Sequence, residues 1–376
     1  MRGVGKTTLV LILISVALCF SHTERVNAIN ANEGSEKEEI EAVLNHIFEQ
    51  RANVMINQNV HELEAHYLTN QQVSRYAYRN EKNRVNYVNK WADKRAIRLV
   101  AAQSNIRIVR LKTKGDTAIV SLDQSLKISY DYLNKIVPIQ SFGVGTRNFM
   151  TLKKINEKWM IYREWYLDPL DENPNKIAET SDGLSPFIPH KAEVSNGEKY
   201  NRLRAVSYAN KYAGAAWGAG NNHRYNRKYS DYTGKGGDCT NFASQVIGDK
   251  EAGGLPMTYA WRYAKRDGAT QSWIRTDSFS EFILYNGYGE LVSKGDFAHI
   301  VTPTKKHPHG AISHLQPGDL IGHIIEGNDI DHFSIVVGFD EYGYPLVNSH
   351  TADRYRAPFD LGWDRNTKYL LIHIKY

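Results

Sequence analysis

The chain has 376 residues, of which 41% are hydrophobic and 23% charged. These values are those of a soluble globular protein with room for two ordinary domains, and they exclude an extended disordered chain. The formal net charge of +6 is mild. It suits an anionic surface such as a cell wall, and no run of basic and interleaved aromatic residues predicts a nucleic-acid partner.

Residues 1–28 have the pattern of a secretory signal peptide. Two basic residues precede an apolar run over 9–20, and a polar stretch then ends at Ala28, a typical residue for signal cleavage. The apolar run is shorter than the ~20 residues that span a bilayer. Cleavage at Ala31 and an uncleaved anchor stay as alternatives. We therefore expect a secreted or wall-associated protein with no stable membrane span.

Residues 33–168 are predicted to form an accessory α+β domain. Apolar residues at helical spacing predict helices over about 35–66 and 73–102, and apolar runs over 106–122 and 149–165 predict strands. Helices followed by a meander of long strands predict helices packed on a curved antiparallel sheet. This element order resembles the nuclear-transport-factor-like cone fold.

A linker is predicted at residues 169–197. This segment holds Pro169, Pro174, Pro186 and Pro189 among many polar residues, a composition typical of a partly extended connection. The second domain is therefore expected over residues 198–376.

Cys239 is the one cysteine of the expected mature chain, because Cys19 lies inside the predicted signal. A single thiol in a secreted protein is inert, paired between chains, or reactive. Two glycines and Asp238 precede it, and apolar residues follow at helical spacing, which predicts a turn leading into a helix that begins at the cysteine. A helix N-terminus favours the thiolate, and its N–H groups can hold an oxyanion. The pattern favours a reactive thiol over a small buried hydrophobe.

The best candidate base is His332, which opens a short β-branched run predicted to be a buried strand. Asn348 and His350 share one face of the next predicted strand, because strand side chains alternate. Either side chain could bond the far ring nitrogen of His332 and fix its tautomer. The residues alone leave both open as the third member of the site.

Four motifs occur in an order that resembles a known family. They are Gly-Gly-Asp-Cys-Thr-Asn-Phe-Ala-Ser-Gln (236–245), Gln-Ser-Trp (271–273), Pro-Gly-Asp-Leu-Ile (317–321), and His332 before its strand. The region 198–376 resembles the Putative amidase domain family of secreted bacterial proteins, which is similar to NlpC-type and CHAP cell-wall peptidases with a papain-like fold. The resemblance implies Cys239 as nucleophile, His332 as base and Asn348 as the third residue, with His350 kept as the alternative.

The same resemblance implies an oxyanion donor upstream of the cysteine. Tyr225, Tyr229 and Tyr232 all lie there, and Tyr229 is taken as the candidate. Asp238 is expected to point away from the sulfur and to bond turn or helix N–H groups, since acidic residues are common at helix starts. Asp238 and Gly237 are therefore expected to shape the site rather than to react.

Tryptophans suggest two further expectations. Trp159 and Trp165 lie in apolar strands and are expected in the core rather than in a ligand site. Trp261 and Trp273 follow the nucleophile helix, where an aromatic ring can either fill the core or stack on a substrate. Trp273 is kept as a residue that shapes the site.

Histidines are frequent in the second predicted domain, which makes a metal site a competing interpretation. The set is His299, His307, His309, His314, His323, His332 and His350. No Cys or carboxylate accompanies them at zinc-ligand spacing, so no metal and no cofactor are expected. Apart from the predicted site residues, these histidines are expected on loops or on the surface.

The sequence therefore predicts a secreted cysteine-type amidohydrolase or peptidase. The expected substrate is a peptide or small-molecule amide, with peptidoglycan peptides as the leading class. Three alternatives stay open: a binding module that has kept the fold without catalysis, an acyl transferase that uses the same acyl-enzyme with an amine acceptor, and a metal-dependent amidase.

Overall fold

The computed structural model describes residues 34–134, 136–170, 173–179, 199–264 and 268–375. The predicted signal peptide, Cys19 and most of the predicted linker lie outside these residues. The chain divides into two compact units, 1–47 and 48–376. Residues 34–47 of the first unit are helical, and the second unit contains all the other elements described below.

The second unit begins with helical residues 48–57 and a 3₁₀ turn, Val60–His66. Six further helices follow in the described part of this unit: α1 Gln72–Lys94, α2 Arg202–Lys211, α3 Cys239–Gly248, α4 Gln271–Ile274, α5 Thr276–Tyr285 and α6 Phe297–Val301. Short 3₁₀ turns are Thr233–Lys235 and Ala311–His314. α1 buries one amphipathic face, which includes Val85, Val88 and Trp91.

The predicted helix over 73–102 is too long at its C-terminal end. Arg95 closes α1 through its N–H to the Ala92 carbonyl, and Ala96 then adopts a left-handed φ of 52°. A strand begins at Ile97, because Ile97 and Leu99 alternate their burial with Arg98.

Twelve strands are present in the described residues. They are β1 Ile97–Lys114, β2 Thr117–Tyr132, β3 Gln140–Ile155, β4 Lys158–Leu167, β5 Tyr263–Ala264, β6 Gly268–Ala269, β7 Gly289–Asp296, β8 Leu320–Ile324, β9 His332–Phe339, β10 Pro345–Ser349, β11 Asp353–Pro358 and β12 Lys368–Ile374. All pairings are antiparallel within one ten-stranded sheet of order β1-β2-β3-β11-β10-β9-β8-β12-β7, with β4 beside β3 and a separate β5–β6 pair. The prediction that helices combine with an antiparallel sheet is confirmed.

Strand β3 joins the strands on either side of the predicted linker. Its early residues pair with β11 in the register Gly145↔Asp353, while its later residues pair with β4 in the register Phe149↔Trp165. The chain from Ala215 to Trp217 lies directly on β3: a Cβ at Gly143 or Gly145 would overlap its backbone. Glycine is therefore required there by close approach.

The sheet formed by β7–β12 carries a core on each face. One core includes Phe242, Val246, Phe333 and Ile335, so α3 packs on the Phe333 face of β9. The other includes Val336, Val347, Phe359 and Trp363. Side chains along a strand point alternately to the two faces of the sheet, so the position of each candidate site residue in its strand decides which core it faces.

None of the helices in the described part of the chain combines the length and apolar character needed to span a bilayer.

Candidate functional site

As the sequence predicts, the helix α3 begins at Cys239. Gly236 and Gly237 precede it with φ of 104° and 123°, values that side chains with a Cβ rarely adopt. The Gly-rich turn therefore brings the cysteine to the first turn of a helix whose positive dipole end faces the sulfur.

Hydrogen-bond donors surround the sulfur, but burial dominates its ionisation. The side chain is 6% exposed, and Sγ lies 3.8 Å from the Thr240 hydroxyl. Burial raises the pKa of the Cys239 thiol, while N–H groups of Phe333 and Thr240 and the Thr240 hydroxyl act in the opposite direction. The resting group at neutral pH is therefore the thiol.

His332 is the residue directly before Phe333, so the Phe333 contact ties the thiol to the start of β9. Its imidazole is 6% exposed and packs 5.2 Å from the Trp363 ring. Burial first, and then the charges of Arg354 and His350, hold the pKa of His332 well below its usual range. A neutral ring is the form that accepts a proton, and its buried Nε2 has no hydrogen-bond partner among the described residues.

A second buried histidine, His323, faces His332 across the strand pair. The two are register partners on β8 and β9, with ring centroids 5.6 Å apart. Its Nε2 bonds the Ser334 hydroxyl at 3.1 Å, and its ring stacks on Trp363 at 4.1 Å. The expectation that this histidine lies on a loop or at the surface is wrong; its position in the run Leu320–Ile324 after a turn was the signal that could have shown it.

Asn348 lies on the opposite face of the sheet from His332. It pairs with Ile335, whose side chain faces α3, whereas His332 and Val336 face the other way. Its Nδ2 donates to Asn210 at 2.9 Å, and its Oδ1 accepts the Arg356 N–H at 2.7 Å. The structure does not bring Asn348 to the imidazole of His332.

His350 is fully buried beside the loop that precedes Cys239. Its Nδ1 lies 2.6 Å from Asp238 Oδ2 and its Nε2 lies 2.6 Å from the Tyr212 carbonyl oxygen. The ring is stacked between Tyr225 at 3.5 Å and Phe242 at 3.7 Å. Both ring nitrogens are engaged away from His332, so His350 holds Asp238 in place instead.

The carboxylate of Asp238 bonds groups of the turn and of α3, and its charge acts to raise the pKa of the Cys239 thiol. Its Oδ1 accepts the Tyr232 N–H and the Asn241 amide, both at 2.9 Å. The turn N–H is the predicted partner, whereas the bond to His350 is not predicted by local sequence.

Thr351 is a further residue of the site that sequence reasoning missed. Its Oγ1 accepts the N–H of Asp238, the residue directly before Cys239, at 2.7 Å. Thr351 and Ala352 have φ of 57° and 55°, so a β-branched residue occupies a left-handed conformation that it rarely adopts. Such strain costs about 1–3 kcal/mol and is concentrated at functional sites.

The remaining predicted site residues lie apart from the thiol. The Tyr229 hydroxyl donates to Asp249, which follows the C-terminal end of α3, so it does not face Cys239. Trp273 is fully buried, and its Nε1 donates to Asn241 Oδ1 at 2.9 Å. Trp273 therefore supports the start of α3 from inside the core.

An open cleft of about 670 Å³ reaches the cysteine. Its lining includes Tyr232, Gly237, Cys239, Gln271, Arg275 and Asp331. The lining carries charges of both signs, and Tyr232 is the upstream tyrosine that reaches the cleft. Among the described residues, no three or more His, Cys, Asp or Glu side chains gather as a set of metal ligands.

Comparison with known proteins finds a family match in the region that carries the thiol. The model of the family described as Putative amidase domain matches residues 199–372. This match spans α2 to β12 and includes Cys239 and His332. It suggests an amidase-like hydrolase activity for this part of the chain. No curated protein matches the chain.

Proposed function

We propose that this protein is a secreted cysteine-dependent amidase or peptidase that cleaves amide bonds in cell-wall peptides through a thioester intermediate. The observation that supports it most is the position of the Cys239 thiol at a helix start in an open cleft, where the backbone of Phe333, next to His332 in sequence, acts to lower the thiol pKa. The family match to residues 199–372 supports the amidase class.

The proposed reaction starts from two neutral groups. The resting imidazole of His332 lies on the Trp363 face of β9, opposite α3, so the reaction requires it to turn toward the sulfur as substrate enters. His332 then takes the thiol proton, the Cys239 sulfur attacks the carbonyl carbon, and the tetrahedral oxyanion forms. Collapse breaks the C–N bond, and imidazolium gives its proton to the leaving amine. Water, deprotonated by His332, then attacks the thioester and releases the acid and the thiol.

Groups around the sulfur suit the charged states of this cycle. The N–H groups of Phe333 and Thr240 stabilise the transient thiolate. The backbone N–H of Cys239, at the positive end of α3, can bind the oxyanion, and Tyr232 is the lining tyrosine best placed to assist.

The finer structural and cellular parts of the proposal rest on the sequence. We propose a papain-like arrangement for 198–376, related to NlpC-type and CHAP enzymes, and a cone-like accessory region for 33–168. Secretion rests on the signal pattern of residues 1–28.

The test is hydrolysis of defined cell-wall peptides, followed by mass spectrometry of the products and of the protein. Wild type should release the amine product and carry an acyl adduct on Cys239 when quenched early. Cys239→Ala and His332→Ala should each lower kcat at least about 1,000-fold, whereas the exposed His299→Ala should not. Full activity in Cys239→Ala would refute the cysteine mechanism.

A non-catalytic binding module is the second candidate. Burial raises the thiol pKa, and no bond between Cys239 and the imidazole is present in the described residues, which favours an inert thiol. Unchanged target binding by Cys239→Ala, with no turnover of any amide, would support this candidate. An acyl transferase would instead yield a new amide when an amine is added.

A further inference from the structure

A second pocket lies on the far side of the turn that precedes the nucleophile. It encloses about 240 Å³, a little below the volume typical of sites for drug-sized ligands. Its lining includes Arg147, Phe149, Trp165, Leu167, Thr351 and Asp353. The pocket therefore forms where β3 and β4 meet the loop between β10 and β11.

One turn separates this pocket from the cleft. Thr233 and Gly234 line the pocket, while Tyr232 and Lys235 on either side of them line the cleft. A Cβ at Gly237, in the cleft wall, would lie 3.8 Å from the Thr351 side chain, in the pocket wall. The cleft and the pocket therefore share one wall, which is formed by the turn before Cys239 and by Thr351.

Two large aromatic side chains of the pocket are exposed to solvent, an arrangement that does not help to stabilise the fold. Trp165 is 58% exposed and Phe149 is 52% exposed, although Trp165 was expected in the core. They are register partners with ring centroids 5.7 Å apart. An exposed aromatic pair beside a pocket is typical of a binding surface, because burying it on a ligand removes apolar area from water.

The polar groups of the pocket are already engaged within the protein. Arg147 pairs with Asp231 at 3.3 Å and lies over the Tyr225 ring at 5.0 Å. Asp353 accepts the Tyr225 hydroxyl at 2.5 Å and the Ala215 N–H at 2.8 Å. The pocket therefore offers balanced charge, which suits neither an ionic ligand nor a saccharide that needs many hydroxyl partners.

We propose that this pocket is a substrate subsite that binds an uncharged apolar or aromatic side chain of a peptide whose scissile amide lies at Cys239. The proposal rests on the proposed function and adds specificity to it. Phe149, Trp165 and Leu167 supply the apolar contact. The strained Thr351–Ala352 backbone forms the wall shared with the nucleophile's loop.

Direct binding tests the pocket without turnover. The full chain carrying Cys239→Ala is titrated with N-acetyl-phenylalanine amide, with N-acetyl-glycine amide as the small control, by saturation-transfer NMR. We expect the phenylalanine probe alone to bind. Affinity should fall about tenfold in Trp165→Ala and in Phe149→Ala. Ile119→Ala, which is 59% exposed on β2 and outside the pocket, should bind as the parent does.

Each alternative result counts against the pocket. Equal binding by parent and Trp165→Ala, equal binding of both probes, or competition by an N-acetylated disaccharide would overturn the proposal. Because the readout is binding, its failure is distinct from failure of the proposed reaction. In an enzyme that does turn over, Trp165→Ala should raise KM for peptides with a distal aromatic residue more than it raises KM for peptides with glycine there.

Discussion

Burial sets the resting protonation state of Cys239 and of His332. It raises the pKa of the Cys239 thiol and lowers the pKa of His332, so each shift favours the neutral form. A resting thiolate–imidazolium pair, which the helix position alone suggests, is therefore not expected. In the proposed reaction, proton transfer is instead coupled to substrate entry, when a carbonyl reaches the sulfur.

Alkylation of Cys239 should follow this neutral resting state. We expect slow reaction with iodoacetamide near pH 7 and a rate that rises only above the ordinary thiol pKa of about 8.5, because the raised pKa leaves less thiolate at any given pH. The measurement is the rate of adduct formation from pH 5 to 10. His332→Ala should retain this profile. Fast alkylation below pH 7 that His332→Ala abolishes would establish a preformed ion pair.

The Thr351 hydroxyl should stabilise the fold through one buried backbone group. Thr351→Val keeps the branched shape but leaves the Asp238 N–H without its 2.7 Å acceptor, so unfolding free energy should fall by about 1–3 kcal/mol. Urea denaturation measures this. Thr351→Ser keeps the hydroxyl and is the matched control. Equal loss in both variants would mean that the methyl packing matters instead.

At the scale of elements, sequence patterns located the pieces of the site but not their mutual orientation. The helix start at Cys239 and the strands at His332 and at Asn348 followed from local glycines, β-branched runs and alternation. Alternation orders side chains within one strand. Alternation does not predict which residues of two neighbouring strands lie on the same face of the sheet. Their alignment depends on strand register and on bulges such as the one between Leu346 and Val347.

The partners of His350 and His323 were hidden for a related reason. His350 meets Asp238 from 112 residues away, and His323 meets His332 only because β8 and β9 pair in that register. Contacts of this kind depend on tertiary structure. The prediction of a helix over 73–102 was wrong for a local reason: the helix ends at a cap formed by Arg95, although the apolar pattern continues beyond it.

The strand pair β8–β9 should make stability depend on pH. Burial lowers the folded-state pKa of both His323 and His332, whereas the unfolded value is about 6.5. Below pH 6.5 the unfolded chain therefore binds more protons. The contribution of these two histidines to stability should be constant well above pH 6.5 and should fall below it, with a slope that approaches about 1.4 kcal/mol per pH unit for each histidine.

His323→Gln isolates one of these contributions. Glutamine keeps a neutral hydrogen-bonding group but does not titrate, so the slope between pH 6.5 and pH 5 should decrease by about 1.4 kcal/mol per pH unit. Urea denaturation at each pH, referred to the pH 8 value of the same variant, gives the slope. An unchanged slope would contradict a depressed pKa for His323.

At the scale of the molecule, buried polar bonds join the strands before the predicted linker to the loops after it. Tyr130 and Tyr132 both donate to Asp340, at 2.8 and 2.7 Å. Asp360 accepts from Trp91 at 2.9 Å and pairs with Arg95 at 2.6 Å. Together with the β3–β11 pairing, these bonds make residues 48–376 one compact unit.

Asp360→Ala should therefore destabilise both sides of the linker together. The change leaves the Arg95 guanidinium, 4% exposed, without its carboxylate, and breaking a buried pair costs about 3–5 kcal/mol. Asp131→Ala is the control: it breaks the more exposed ion pair of Asp131 with Arg98 and should cost no more than about 1 kcal/mol.

Calorimetry should show one transition at lower temperature for Asp360→Ala. Hydrogen exchange should accelerate in β1 and β2 as well as in β8–β12, because cooperative units open together. Faster exchange on one side of the linker alone would mean that the two regions unfold independently despite their shared sheet.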